Sequence, residues 1–321
     1  MKILKYKTLI LFIYLSFLLA DEVKIKKIPL LGIITNPNQE ISGLDWYKDN
    51  LFLLPENLNG FVFVISKLEL INSIESKNPP PISPKRIAFK TPNYNEIIEG
   101  FEGFESIAFN NETFIVTIEA SDKGKMISYI AWGEIDKNSL EMEVQGDSIK
   151  VIETPTQIKN MTYESALFHK ESVMLLYEAN GSELQLNITQ PKINLKNHLI
   201  SNIKFPNIEY RITDATSLDN DNKFWAINYF WPGDKKRLKP AKDLIKHKKG
   251  SSHSKSEIVE RLIEFKVNDN KIVLTDREPI QLELDEKNSR NWEGIARLKN
   301  KGFIIATDKY PEMVLAFVEY K

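Results

Sequence analysis

Residues 290–318 read RNWEGIARLKNKGFIIATDKYPEMVLAFV. The stretch opens on an acid, Glu293, passes through a short apolar strand to a turn at Gly302, and enters a second strand ending on Asp308. A third strand follows. The same order recurs four more times upstream, which makes a repeat architecture the first hypothesis. Its anchors are Ile41-Ser42-Gly43-Leu44, Phe104-Glu105-Ser106-Ile107, Tyr163-Glu164-Ser165-Ala166, Thr213-Asp214-Ala215-Thr216 and Trp292-Glu293-Gly294-Ile295.

A second apolar run follows each anchor: LFLLPE, TFIVTIE, VMLLYE, FWAIN and FIIATD. Four end on an acid (Glu56, Glu119, Glu178, Asp308) and one on Asn228. The offset from anchor to run end is 14 residues in four cases and 15 in the last. Runs of four to eight residues rich in Ile, Val, Phe and Leu, broken by Asn, Asp, Gly and Pro, are strands. Third strands are expected at 61–66, 126–135, 184–188, 259–265 and 314–320, and fourth strands at 86–89, 149–153, 202–206 and 279–284. The last repeat lacks a fourth strand, and the N-terminal VKIKKIPLLGI (23–33) is the segment that would supply it. Four-stranded units around an axis, closed by strand exchange, predict an all-β chain folded as a β-propeller. Five blades are expected, with a sixth, degenerate blade as the alternative.

The chain has 321 residues, 42% hydrophobic and 27% charged, with net charge −1 and no cysteine. Near-neutral charge gives no general affinity for polyanions, and the lack of cysteine excludes disulfides, thiolate metal sites and cysteine nucleophiles. Lys2, Lys5 and Lys7 precede an apolar run from Thr8 to Ala20, after which Asp21-Glu22 begins a charged stretch. This predicts a signal peptide over 1–20, with an uncleaved N-terminal anchor as the alternative, a single domain over 21–321, and a secreted or periplasmic protein with no membrane span after signal removal. A lysine-rich insert at 232–256 lengthens the fourth repeat; it reads as a solvated loop or a lid for anionic substrate. It carries no interleaved aromatics, so nucleic acid is not an expected partner.

In a propeller, a residue opening the first strand and one ending the second lie at the same mouth of the axial channel, about one strand spacing (~4.8 Å) apart. Ser42, Glu105, Glu164, Asp214 and Glu293 are therefore expected as an inner ring. Glu56, Glu119, Glu178, Asn228 and Asp308 form an outer one. Four crowded inner carboxylates must bind protons, cationic side chains or a metal. Oxygen donors without Cys or His favour Ca²⁺, held by the inner ring. Arg211, Arg290, Lys309, Asn228, Asn291 and Glu56 are the expected substrate contacts, and Tyr229 and Trp231 are aromatic candidates for the mouth.

The segments NWEGIARLKNKGFIIATDK, FESIAFNNETFIVTIEAS and ITDATSLDNDNKFWAINYF resemble the secreted β-propeller family described as having esterase-like activity of phytase type, over residues 41–320. YESALF, WEGIA and Ser42 also resemble the calcium-dependent apyrases, five-bladed propellers whose central calcium sits among Glu and Ser side chains. These resemblances imply hydrolysis of a phosphoester or ester. In that reading Ca²⁺ polarises the substrate and lowers the pKa of a bound water. Glu119, Glu178 or Asp308 takes the proton, and Arg211 and Lys309 steady a small anionic or ester substrate. The protein is expected to be a monomer. A non-catalytic binding propeller with structural calcium and a lactonase-type hydrolase are the alternatives, since fold does not decide function. No G-x-S-x-G elbow, P-loop or dinucleotide fingerprint is present.

Overall fold

The computed structural model describes residues 22–57, 60–243, 245, 250–285, 288–309 and 312–320. The expected signal peptide and Lys246, Lys248 and Lys249 of the insert lie outside the described residues. A short strand, β1 (Lys26–Ile28), comes first. The first meander is β2 (Ile41–Tyr47), β3 (Asn50–Pro55), β4 (Phe61–Ser66) and β5 (Lys85–Lys90). The second is β6 (Phe101–Asn110), β7 (Thr113–Asp122), β8 (Lys125–Ile135) and β9 (Met142–Glu153). The third is β10 (Tyr163–His169), β11 (Ser172–Tyr177), β12 (Thr189–Asn194) and β13 (Ile200–Lys204). The fourth is β14 (Arg211–Ala215), β15 (Lys223–Phe230), β16 (Val259–Asn268) and β17 (Lys271–Leu274), with β18 (Ile280–Gln281) added to β16. The last is β19 (Trp292–Leu298), β20 (Gly302–Thr307) and β21 (Leu315–Glu319).

β1 completes the last meander. It pairs antiparallel with β21, Lys26 opposite Phe317 and Ile28 opposite Leu315, so the N-terminal segment closes the circle as the sequence predicts. The first strands β2, β6, β10, β14 and β19 touch in that cyclic order, and β19 returns to β2. The protein is all-β and has the β-propeller architecture.

The second strands explain why the ring is stable. Their side chains alternate between two neighbours: Phe52 and Leu54 of β3 pack into the cluster shared with the second meander, while Leu51 and Leu53 pack into the one shared with the last. β11, β15 and β20 divide their faces in the same way. Five apolar clusters thus lie one between each pair of adjacent meanders. Strands buried on both faces are written as continuous apolar runs rather than alternating ones, which is how LFLLP and FIIAT appear in the sequence.

Two expected strands are corrected. The third strand of the third meander is β12 rather than 184–188, because Leu184 and Gln185 turn back to Gly181 and Asn187 takes φ 56°. The fourth strand of the fourth meander is β17, reached through the Asn268–Asn270 turn; the expected 279–284 contributes only β18, on the stretch of β16 that the four-residue β17 leaves open. An unexpected helix, α1 (Lys67–Glu75), follows β4. Ser66 and Glu69 close it with a reciprocal capping box.

The closure is testable. Ile28 is 4% exposed in the cluster between the first and last meanders, so Ile28→Ala should cost about 2–5 kcal/mol in chemical denaturation. Exposed Lys27→Ala should stay within about 0.5 kcal/mol. Equal effects would mean that β1 does not hold the ring shut.

Candidate functional site: a buried carboxylate cluster at one mouth

Each first strand carries an extra residue against its second strand near the mouth, and β6 carries a further one, Glu102, between Phe101 and Gly103. The pairing slips between Ile41 and Gly43, Phe104 and Ser106, Tyr163 and Ser165, Ile212 and Ala215, and Trp292 and Gly294. These are β-bulges, which bend a strand and re-aim the extra side chain. The extra residues are Ser42, Glu105, Glu164 and Glu293, four of the five expected inner positions.

The fourth meander corrects the fifth position. There Ile212 opposes Asn228 and Ala215 opposes Ala226. Thr213, not Asp214, is therefore equivalent to the other bulge residues. Likewise Tyr229, not Asn228, is equivalent to Glu56, Glu119, Glu178 and Asp308. The hydroxyls agree: Ser42 Oγ donates to the Phe104 carbonyl and Thr213 Oγ1 to that of Trp292, both at 2.5 Å. Each acceptor immediately precedes the next meander's bulge residue. Asp214 lies one residue after Thr213 and Asn228 one before Tyr229, so a pair 16 residues apart was read as one 14 apart, and the slip was concealed.

Several expected contacts are committed to the frame. Asp214 accepts the N–H groups of Ala215 and Ile295 at 2.8 and 2.7 Å, tying the fourth meander to the last. Asn228 is fully buried, donating to the Glu209 and Arg211 carbonyls and accepting from Arg261. Arg290 pairs with buried Glu260, which also takes the Trp292 indole N–H at 2.7 Å. Arg290 is thereby held away from the ring carboxylates.

The remaining groups converge. Arg211, 9% exposed, bonds Glu178 through Nε, Asn291 Oδ1 at 3.1 Å and Glu293 Oε1 at 3.4 Å, and lies over the Tyr229 ring. Asn291 donates to Glu293 at 2.5 Å and to Asp308 at 3.0 Å. Lys309 binds Glu40 Oε1 at 2.8 Å. Glu40 was not expected. It stands two residues before the Ser42 bulge, where Arg211 and Asn291 stand relative to theirs, and that shared offset is the signal that would have found it. Trp231 lies just beyond β15 and is 52% exposed, whereas Trp225 and Trp292 are buried.

Protons and one guanidinium settle the crowding. Burial, then the charges of Glu164, Glu119, Glu56 and Glu293, pushes Glu105 well above the usual carboxylate range. Burial and Asp308 do the same to Glu293 against the opposing pull of Arg211. Burial and a carboxyl–carboxyl contact with Glu40 push Glu56 up to about 10. Burial, Glu164 and Glu102 push Glu119 up to about 9. Glu164 reaches only about 7, since Arg211 and a contact with Glu105 offset its burial. The cluster therefore holds protonated acids beside a group that titrates near neutrality. Expected as a base, Glu119 is instead an acid at neutral pH.

Among the described residues no three His, Asp or Glu side chains are drawn together as a metal site. Two features still suit a cation: the buried Oε2 atoms of Glu119 and Glu178 have no hydrogen-bond partner, and carboxylates outnumber Arg211 and Lys309. A cation would have to displace protons to enter.

No family model matches the chain, and no curated protein sequence matches it. Solved structures do. An exo-β-1,3-galactanase from Phanerochaete chrysosporium, with β-1,3-galactotriose, aligns with TM-score 0.51 and 7% identity over 92% of this chain and 64% of that one. An α-L-arabinofuranosidase catalytic domain from Coprinopsis cinerea gives 0.48 and 7% over 93% and 96%. An α-L-arabinanase from Cellvibrio cellulosa gives 0.46 and 10% over 86% and 90%. At these identities the galactanase likeness is one of fold.

The protonation pattern fixes a pH dependence. Glu119 keeps its proton up to about pH 9 when folded but loses it near its ordinary value of about 4.3 when unfolded. Between those values the folded state binds more protons, so its contribution is present at low pH and is lost as pH rises. In metal-free buffer the denaturation midpoint should fall from pH 5 to pH 9. Glu119→Gln, which is neutral at every pH, should flatten that slope. An unchanged slope would place Glu119 outside the cluster's charge balance.

Proposed function

We propose that the protein is a five-bladed propeller hydrolase, exported from the cell, that cleaves a neutral, hydroxyl-rich substrate of the glycoside class at the acid-lined mouth. The observation carrying this reading is the pairing of two buried carboxyl groups with separated titrations. Glu119 is protonated at neutral pH, and Glu164, one of the charges acting on it, titrates at about 7. Two carboxyl groups held in different protonation states are what acid/base cleavage of a C–O bond requires. In this scheme Glu119 protonates the leaving oxygen, and Glu164 as carboxylate acts from the other side on the anomeric carbon or on a water. Arg211 keeps Glu178 and Glu293 oriented. The galactanase of similar fold acts within the same substrate class.

The cations argue for a neutral substrate. Arg211 is already engaged by Glu178, Asn291 and Glu293, and Lys309 by Glu40. An anion arriving at this mouth would meet surplus carboxyl groups without a free guanidinium.

A second reading rests on the unpartnered Glu119 and Glu178 oxygens. Here Ca²⁺ replaces the shared protons, with Glu105, Glu164, Glu293 and Ser42 as its holders, and supplies the positive charge for a phosphoester or ester. This is the activity implied by the phytase-type and apyrase resemblances. Asp214, with both oxygens committed to backbone N–H groups, is left out of that set.

EDTA-treated protein should be assayed on aryl glycosides, aryl phosphate, acyl ester and lactone, with and without calcium. Metal-independent glycoside cleavage that falls at least about 100-fold in Glu164→Gln is the expected result. Phosphoesterase or esterase activity found only with calcium, with a calcium-dependent rise in Tm that grows with pH, would replace the first reading by the second. Lactone cleavage alone would make the protein a lactonase. Inactivity on every class, with an unaltered melt, would leave a binding propeller.

A further inference from the structure

The end of the propeller opposite the carboxylate mouth holds a cleft of about 600 Å³. It lies where the β2–β3 and β19–β20 turns meet the segment following β14, among the first, last and fourth meanders. Counting from each bulge, Trp46, Phe109, Phe168, Ser217 and Arg297 occupy one equivalent position. Three meanders place an aromatic ring there. The fourth places the small Ser217 beside Arg297, and the cleft opens at that gap.

The residues of its walls carry buried donors without acceptors. Arg297 gives Nη1 to Asp219 at 3.0 Å, but Nε and Nη2 have no partner, and neither has Nε1 of Trp46 in the adjoining meander. A charged N–H group left unpaired is costly, and two on one guanidinium form the fork that matches a bidentate oxyanion. Exposed Lys48 and Lys299 line the same cleft, and neither forms an ion pair among the described residues.

The acids there are mostly engaged. Asp219 is held by Arg297 and by the N–H groups of Asp221 and Lys223, and Asp49 by Lys67 at 3.1 Å. Asp45 accepts from Ser217 Oγ at 2.7 Å and Phe109 N at 2.8 Å. Burial pushes Asp45 up to about 6, which lessens its repulsion of an anion in acid. Asp221 is the remaining acid on the wall.

We propose that this cleft is an oxyanion-binding site, taking a carboxylate, sulfate or phosphate group on the Arg297 fork with Trp46 Nε1 as third donor and Lys48 and Lys299 as screening charges. It is separate from the carboxylate mouth and does not depend on the activity there. An acceptor group entering between these side chains would give the buried, unpaired donors a partner, with a shift of the wall side chains to admit it. The mouth, whose cations are already engaged, cannot offer this.

Trp46 provides a local reporter. Titrating sulfate, phosphate and acetate in turn against chloride at constant ionic strength should give a saturable change in tryptophan emission with at least one of them. The change should disappear in W46F. In R297Q the apparent affinity should fall at least about tenfold. A response to sulfate and phosphate but not acetate assigns the site to tetrahedral oxyanions; a response to all three assigns it to oxyanions generally, carboxylates included. If R297Q does not unfold cooperatively, the exposed double variant K48Q/K299Q replaces it and should weaken binding several-fold. No saturable response in the wild type, a response equal to that of chloride, one that survives in W46F, or unchanged affinity in the charge variant would each overturn the proposal.

Discussion

The extra residue in each first strand governs the mouth, because strand pairing alone would not aim these side chains together. A regular strand alternates its side chains between the two neighbouring meanders, and the apolar clusters already claim both directions. Inserting one residue against the second strand breaks the alternation at the point where the five first strands crowd around the axis. Ser42, Glu105, Glu164, Thr213 and Glu293 are those insertions. Below them the strands return to register, so the acid cluster sits on a rigid, fully packed base.

Crowding then sets the chemistry. Taking several carboxyl groups out of water disfavours their charged forms, and each remaining charge disfavours the next. The cluster meets this with protons on Glu56 and Glu119, with carboxyl groups at Glu105 and Glu293 whose pKa is pushed up by burial and neighbouring charges, and with Arg211 set among Glu178, Glu293 and Asn291. Glu164 is the exception because Arg211 and Glu105 both favour its carboxylate. A site built from like groups therefore contains unlike protonation states, through placement alone. The same placement makes the cluster sensitive to any cation that competes with its protons.

The repeat was legible because burial on both faces forces apolar runs, and because a bulge residue followed by a small one leaves a visible acid–small pair. The N-terminal closure was legible from the missing fourth strand of the last repeat. Register was not legible in the fourth meander. Thr213-Asp214-Ala215 offers two polar residues before a small one, and only pairing with β15 decides between them. The fates of Asp214, Asn228 and Arg290 were hidden for a related reason: a polar residue at a mouth serves equally well to satisfy backbone groups or buried ions, and sequence does not separate the two. Protonation of Glu119 was out of reach as well, since it follows from burial and from neighbours distant in the chain.

The fourth meander is where the pattern is relaxed, and this has a structural logic. It places Thr213 and Tyr229 at positions that carry acids in most other meanders, and adds Arg211. One side of the ring thus supplies the countercharge that the remaining sides lack. The insert leaves from the same meander and is tied down on both flanks of its undescribed portion. Ala241 N–H binds Glu209, and Asp243 pairs with Arg261 at 2.8 Å. At the far flank the Glu22 carboxylate accepts N–H groups of Ser252 and His253 and the His253 ring N–H at 2.9 Å. The Glu260 N–H donates to His253 Nε2 at 3.3 Å, so both ring nitrogens are engaged. Burial works to raise the Glu22 pKa, but these bonds outweigh it and hold it at about 2. The chain segment that closes the ring therefore also anchors the insert of the meander that relieves the mouth's charge, and the two departures from the repeat brace each other.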